Sequence, residues 1–187
     1  MKKLSYLDFD LSIEGQPGAY QVRLLDSPTG QAVHNFDLPF SNLELENFYL
    51  RMGRPRRGTR RVDSPEMAFA KDFGERIFKT VVDGQVQSCF LSSLAFAQSQ
   101  GKGLRIRLRL KAPELNDLPW EYLHSPDFNR FLSLSVDTPV VRYLEVAQTP
   151  RAYTVTPPLR TLVVIASPSQ YPTLDTEQEW QRLSTAL

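Results

Sequence analysis

The stretch Leu104-Arg105-Ile106-Arg107-Leu108-Arg109-Leu110-Lys111 decides the fold. Side chains alternate across a strand with a period of two, so Leu104, Ile106, Leu108 and Leu110 share one face and Arg105, Arg107, Arg109 and Lys111 share the other. Gly101 and Gly103 break the chain just before it. The cations project about 6.6 Å apart along their face. A second stretch answers this one. Leu7, Phe9, Leu11 and Ile13 alternate with Asp8, Asp10, Ser12 and Glu14, giving a strand with one apolar and one acidic face. Opposite charges on adjacent strands stabilise by roughly 0.2–1 kcal/mol per pair. The pattern therefore predicts that the two strands are neighbours, with their charged faces on the same side.

The rest of the sheet reads outward from this pair. Gly15 to Gly18 form a turn, and Tyr20, Val22 and Leu24 alternate with Gln21 and Arg23 in a further strand. Ser27-Pro28-Thr29-Gly30 is a turn signal. A third strand near Gln31 to Asp37 completes an antiparallel meander. Ser41 with Glu44 three residues on is a capping-box pattern, which predicts a helix from about Asn42 to Met52. Ser64-Pro65 is an N-cap with proline at the first helical position. Ala70, Phe73, Ile77, Phe78 and Val81 give the helix that follows an apolar stripe, and Asp83-Gly84 ends it. A helix over Gln85 to Gln100 turns Val86, Cys89, Phe90, Leu94 and Ala97 inward. Pro113 to Ser125 is compact and irregular. Phe131 to Ser135 and Val140 to Glu145 read as short strands around Asp137-Thr138-Pro139. The Pro- and Thr-rich residues 146 to 158 read as a linker. Beyond it, an apolar β-branched run, Leu162 to Ile165, stops at Ser167-Pro168, and Asp175 to Leu187 reads as an amphipathic helix, together one strand and one helix of a parallel unit. The fold class is thus α/β: a mixed sheet with a substantial antiparallel part flanked by helices, followed by one strand and one helix of a parallel unit. Residues 1–150 form the first domain and 158–187 open the second.

Composition excludes several function classes. Of 187 residues, 41% are apolar and 23% charged, as in ordinary globular chains. The formal net charge of +1 sets up no global field for nucleic acid or an anionic membrane. No apolar run approaches the roughly 20 residues that span a bilayer. The start, Met1-Lys2-Lys3-Leu4-Ser5-Tyr6, carries no apolar core of signal-peptide length, so a cytoplasmic protein is expected. A single cysteine excludes an internal disulfide and a cysteine-cluster metal site, and no cofactor motif is present.

Candidate sites are few. Arg51 to Arg61 holds six arginines, two glycines and a proline and reads as a loop. Its Arg54, Arg56, Arg57, Arg60 and Arg61 form a candidate partner-binding loop, set against the plainer reading of a solvated surface loop. Nucleic acid is disfavoured on the cationic strand, where no aromatic residue interleaves with the charges. Cys89, the only thiol, falls on the apolar face of a helix and reads as a small buried hydrophobe. His34 and His124 sit in no catalytic motif, and HExxH, GxSxG and phosphate-binding glycine loops are missing. Trp120, Tyr122 and Leu123 read as bulky anchors pinning the irregular connection to the core, with Glu121 free to bond backbone groups or an arginine.

An ordered series of segments carries a family resemblance. It comprises Tyr6 to Leu11, Leu104 to Leu108, Pro113-Glu114-Leu115 with Leu118-Pro119-Trp120-Glu121-Tyr122-Leu123, Phe131 to Ser135, Thr138 to Glu145 and Leu159 to Pro168. Together they resemble the N-terminal half of CHAT-domain proteins, caspase-like and separase-related bacterial proteins. The Leu-Pro-Trp-Glu and Arg-Tyr-Leu-Glu segments are the most telling. The resemblance implies a cysteine-peptidase clan whose catalytic His and Cys follow later parallel strands, after the last residue here. It therefore implies a non-catalytic scaffold or regulatory portion, with Thr161 to Ala166 as the first strand of the caspase-like sheet and Glu177 to Leu187 as its first helix, packing through Trp180, Leu183 and Leu187. Trp120, Glu121, Arg142 and Tyr143 are the scaffold positions it marks. The implied partner is the protease half; the alternative is a stand-alone interaction module in bacterial signalling or defence. No membrane is implied, and self-association through the incomplete sheet is an open expectation.

Overall fold

The computed structural model describes residues 4–53, 64–143, 162–167 and 175–186. The chain divides into two units, Met1–Glu145 and Val146–Leu187. In the first, β1 (Tyr6–Gln16), β2 (Ala19–Asp26) and β3 (Ala32–Phe36) form the expected meander. α1 (Asn42–Met52), α2 (Pro65–Val81) and α3 (Gly84–Ser99) follow. Next come β4 (Gly103–Leu110), the short α4 (Pro113–Asn116) and a 3-10 turn at Trp120–Tyr122. β5 (His124–Ser125) and β6 (Arg130–Phe131) make a small hairpin, and β7 (Val140–Arg142) closes the unit.

The main sheet has five strands in the order β3-β2-β1-β4-β7. β1 runs antiparallel to β2 and β2 to β3, whereas β1–β4 and β4–β7 are parallel. The sheet is therefore mixed. The step from β1 to its parallel neighbour β4 consumes the meander and all three long helices, as a parallel connection requires a crossover. Register places Asp8 opposite Arg105 and Asp10 opposite Arg107, so the acidic and cationic strands are neighbours, as their patterns predict.

The apolar face of the sheet builds the core. Phe9, Leu11 and Ile13 of β1, Leu104, Ile106 and Leu108 of β4 and Val22 of β2 are all buried, against Phe78 and Val81 of α2 and Val86, Phe90, Leu94 and Ala97 of α3. Phe90 meets both Phe9 and Phe78 edge-on, the arrangement that aligns ring edges with ring faces. The helix starts are fixed locally. Ser41 Oγ accepts from Glu44 N–H while Glu44 Oε2 accepts from Ser41 N–H at 2.8 Å, a complete capping box. Ser64 caps α2 in the same way at its Oγ, with Pro65 next.

Several expectations are corrected. Phe131 to Ser135 is not a strand: β6 stops at Phe131, and Leu132–Leu134 is a 3-10 turn. Leu132 has to turn into the core, and the turn is tied by Thr138 Oγ1 donating to the Leu132 carbonyl at 3.1 Å. β7 is shorter than expected, ending at Arg142; Glu145 lies outside the described residues. Cys89 is only partly buried, at the margin of the core rather than within it. In the second unit, residues 162–167 form no strand. Leu162 is 88% and Val164 79% exposed, and no strand among the described residues pairs with them. The helix is present as α5 (Thr176–Ala186), with Trp180 51% and Leu183 39% exposed. Leu187 and Thr161 lie outside the described residues.

Candidate functional site

The segment from Pro113 to Leu123 is shaped by its own backbone bonds. Leu115 N–H bonds the Ala112 carbonyl, Trp120 N–H the Leu118 carbonyl and Tyr122 N–H the Pro119 carbonyl, giving a chain of tight turns. Trp120 anchors the result. It has no exposed surface, and its Nε1 donates to the Leu115 carbonyl at 2.7 Å, so the one polar atom of the indole is satisfied inside the core. The Tyr122 ring stands edge-on to Phe48 of α1 and Phe131 of β6. This fixes Glu121, whose side chain projects outward beside the end of β7.

Arg142 meets it there. Arg142 Nε donates to Glu121 Oε1 and Nη2 to Oε2, both at 3.0 Å, a two-pronged pair of the kind only arginine makes. The same guanidinium donates to the carbonyls of Asn116 and Leu118. One side chain thus closes four bonds onto the irregular segment. Burial pushes the Glu121 carboxyl up, but the bonds and charge of Arg142 outweigh it and hold it below the usual carboxylate range. Three of the four scaffold positions, Trp120, Glu121 and Arg142, are therefore brought into one cluster.

Tyr143, the fourth, belongs to a second arrangement. Its ring lies under two guanidiniums, Arg107 at 4.1 Å and Arg109 at 4.4 Å from the ring centre. Those arginines stand in the charged ladder. Arg105 grips Asp8 through Nε at 2.7 Å and Nη2 at 3.0 Å. Arg107 reaches both Asp8 and Asp10, Arg109 grips Asp10 through Nε and Nη2, and Lys111 bonds Glu14 at 3.0 Å. Asp10 is only 3% exposed, next to the point where the β1–β2 register shifts. Such an irregularity re-aims a side chain, a detail that alternation alone does not foretell. Burial pushes Asp8 up, yet Arg105 and then Arg107 bring it below its ordinary value. Arg105 is raised in turn, chiefly by its bond to Asp8. The cations of β4 are thus engaged by β1 carboxylates.

Two residues escaped sequence reasoning. Gly74, in the interior of α2, is where the helix meets the 120–125 segment. A Cβ there would lie 1.8 Å from the Tyr122 carbonyl oxygen. The signal was present, since glycine inside a helix costs about 1 kcal/mol relative to alanine and usually has a packing reason. Glu75, beside it, faces His124: Oε1 lies 3.3 Å from Nδ1.

The remaining candidates stay apart. His34 is on edge strand β3, 4.0 Å from Asp83. His124 is on β5, and Cys89 is on α3, where the Thr29 hydroxyl bonds its carbonyl oxygen. No thiol–imidazole bond joins Cys89 to either histidine among the described residues. Arg54, Arg56, Arg57, Arg60 and Arg61 lie outside the described residues. Among the described residues, no group of three or more His, Cys, Asp or Glu side chains is placed to hold a metal, and no helix is long and apolar enough to cross a membrane. No family model, curated protein or solved structure matches the chain.

Proposed function

We propose that this chain is the non-catalytic scaffold or regulatory portion of a CHAT-type cysteine peptidase. The observation that carries the reading is the Glu121–Arg142 pair. The two most telling segments of the resemblance, around Trp120-Glu121 and Arg142-Tyr143, are 21 residues apart and meet through it. A recurring pair of motifs has a physical reason to recur if each completes the other. The reading assigns no catalytic role to Cys89, a partly buried thiol at the margin of the core. The reading implies a cytoplasmic bacterial setting and no cofactor. The peptidase half or another protein is the partner.

Reconstitution tests it. The purified chain is titrated into a caspase-like peptidase domain encoded with it. A stoichiometric complex with altered peptidase turnover supports the reading. Peptide cleavage by this chain alone, abolished by Cys89→Ala, overturns it.

A second reading, a self-standing interaction module, is favoured by the edge at β7. Ile106 N–H bonds the Pro139 carbonyl and Tyr143 N–H the Leu108 carbonyl, so the β4-facing groups of β7 alternate along it. The backbone groups of Val140 and Arg142 then face the other way, as they would toward an added strand. A monodisperse monomer at high concentration counts against self-pairing through this edge.

A further inference from the structure

We infer that the Glu75–His124 contact is an acid-sensitive latch holding the Trp120–Phe131 segment against α2. The inference does not rest on the peptidase reading. His124 is 2% exposed. Its Nδ1 is in ion-pair range of Glu75 Oε1, but the two atoms are not aligned as a hydrogen bond, and Nδ1 is left with no hydrogen-bond partner. The Oγ of Ser125, the next residue, is also buried and unpartnered. Two adjacent residues of β5 thus carry orphaned polar atoms at one helix–strand contact. Native interiors keep such atoms rare, because each carries the full desolvation cost of its group with no bond in return.

Next to this contact, Gly74 brings α2 close against the segment. At Gly74 an added Cβ would lie 3.1 Å from the His124 Cβ, as well as striking the Tyr122 carbonyl. With His124 2% exposed, water reaches its imidazole only if the segment moves away from its neighbours. The groups around it come from both sides. From α2 come Glu75 and Lys71, and Glu75 is itself shared with Lys71 at 3.8 Å and Lys79 at 3.5 Å. From β6 comes the Phe131 ring, edge-on at 4.9 Å, with Arg130 next to it. From the hairpin turn, Asn129 Oδ1 accepts from Lys71 Nζ at 2.7 Å, and Asp127 lies near Gln87.

A neutral imidazole suits this packing. An imidazolium does not: it would be stripped of water, with one misaligned carboxylate already committed to two lysines. Burial accordingly pulls His124 below its ordinary value; Glu75 opposes this and Lys71 adds to it. The sign follows. The open segment binds the proton more readily than the closed one, so the closed state is fully stable above about pH 6.5 and weakens as pH falls below that value toward the lowered one. Acidification thereby loosens the segment that carries Trp120 and Glu121.

The test is amide hydrogen exchange on the whole chain at about pH 7.5 and about pH 5.5, corrected for intrinsic rates, in the natural sequence and in His124→Gln. The expected result is a loss of protection of roughly fivefold or more over residues 120–131 on acidification, absent in His124→Gln, with β1 and β4 unchanged in both. Equal loss in both proteins overturns the latch. If His124→Gln does not fold, the ring of His124 is titrated by NMR in the natural sequence. Titration below about 6.5 supports the latch, and titration at or above it overturns it.

Discussion

Glu121 and Arg142 are held face to face by two parallel bonds of 3.0 Å, one to each carboxylate oxygen. Arg142 also closes the carbonyls of Asn116 and Leu118, so the pair ties strand β7 to a segment with no regular structure of its own. Removing either partner has unequal effects. Arg142→Ala abandons all four bonds and should cost about 1–3 kcal/mol in urea unfolding. Arg142→Lys loses the fork and should recover less than half of that loss. Glu121→Gln leaves the carbonyl contacts intact on a largely exposed pair and should cost under about 1 kcal/mol.

Asp10 is the ladder's weak point because it is its most buried charge. Arg107 and Arg109 both point at it, and its side chain is almost closed off from water. Asp10→Ala takes the buried carboxylate from Arg109 and leaves Arg107 only Asp8, with an expected cost of about 3–5 kcal/mol. Glu14→Ala, at the exposed end of the same ladder, should change the unfolding midpoint little. Chemical denaturation of the two variants side by side checks the contrast.

Asp8 gives the ladder a pH signature. Its carboxyl titrates below 3.8 in the folded chain, since the Arg105 and Arg107 bonds outweigh the burial that would raise it. The unfolded chain therefore takes up the proton first as pH falls. The stability contributed by Asp8 is complete above about pH 4 and is lost as pH drops through the lowered folded value. Asp8→Asn should lower stability at neutral pH and flatten the acid limb of the stability curve, measured by urea unfolding across that range.

Gly74→Ala separates local propensity from packing. Alanine favours the helix by about 1 kcal/mol. The added methyl, however, would sit 1.8 Å from the Tyr122 carbonyl oxygen, a backbone atom that cannot swivel aside. Overpacking of this kind costs about 1–3 kcal/mol or more. The variant should be destabilised, with thermal unfolding as the readout. A gain in stability would mean that α2 and the 120–125 segment do not meet as described.

The sheet was legible because β1 and β4 each alternate without a fault and carry opposite charges at matching positions. Two helices were legible from their caps, Ser41 and Ser64, each of which bonds the first turn of its helix; Asp83, which the pattern gives as a stop signal, also caps the next helix. The region after Ser125 was not. Phe131 to Ser135 has strand-like residues, but Leu132 is drawn into the core and the chain must turn to let it in. Leu162 to Ile165 has strand composition too, yet a parallel strand exists only beside a partner, and composition says nothing about where that partner is. The sequence leaves Glu121 either backbone groups or an arginine as partners, and nothing in the pattern singles out Arg142. That choice depends on β7 ending where the 118–121 turn passes. The Glu75–His124 contact was invisible for the same reason, being a product of tertiary approach at Gly74.

The measurement that bears most directly on the scaffold reading is calorimetric titration of this chain into a caspase-like peptidase domain, with peptide turnover recorded in parallel. The scaffold reading predicts saturable binding that alters the peptidase's turnover, weakened by Arg142→Ala under conditions where that variant is still folded, and no turnover by this chain alone. Cleavage by the isolated chain that disappears in Cys89→Ala, or the lack of any complex with the peptidase domain, would contradict it.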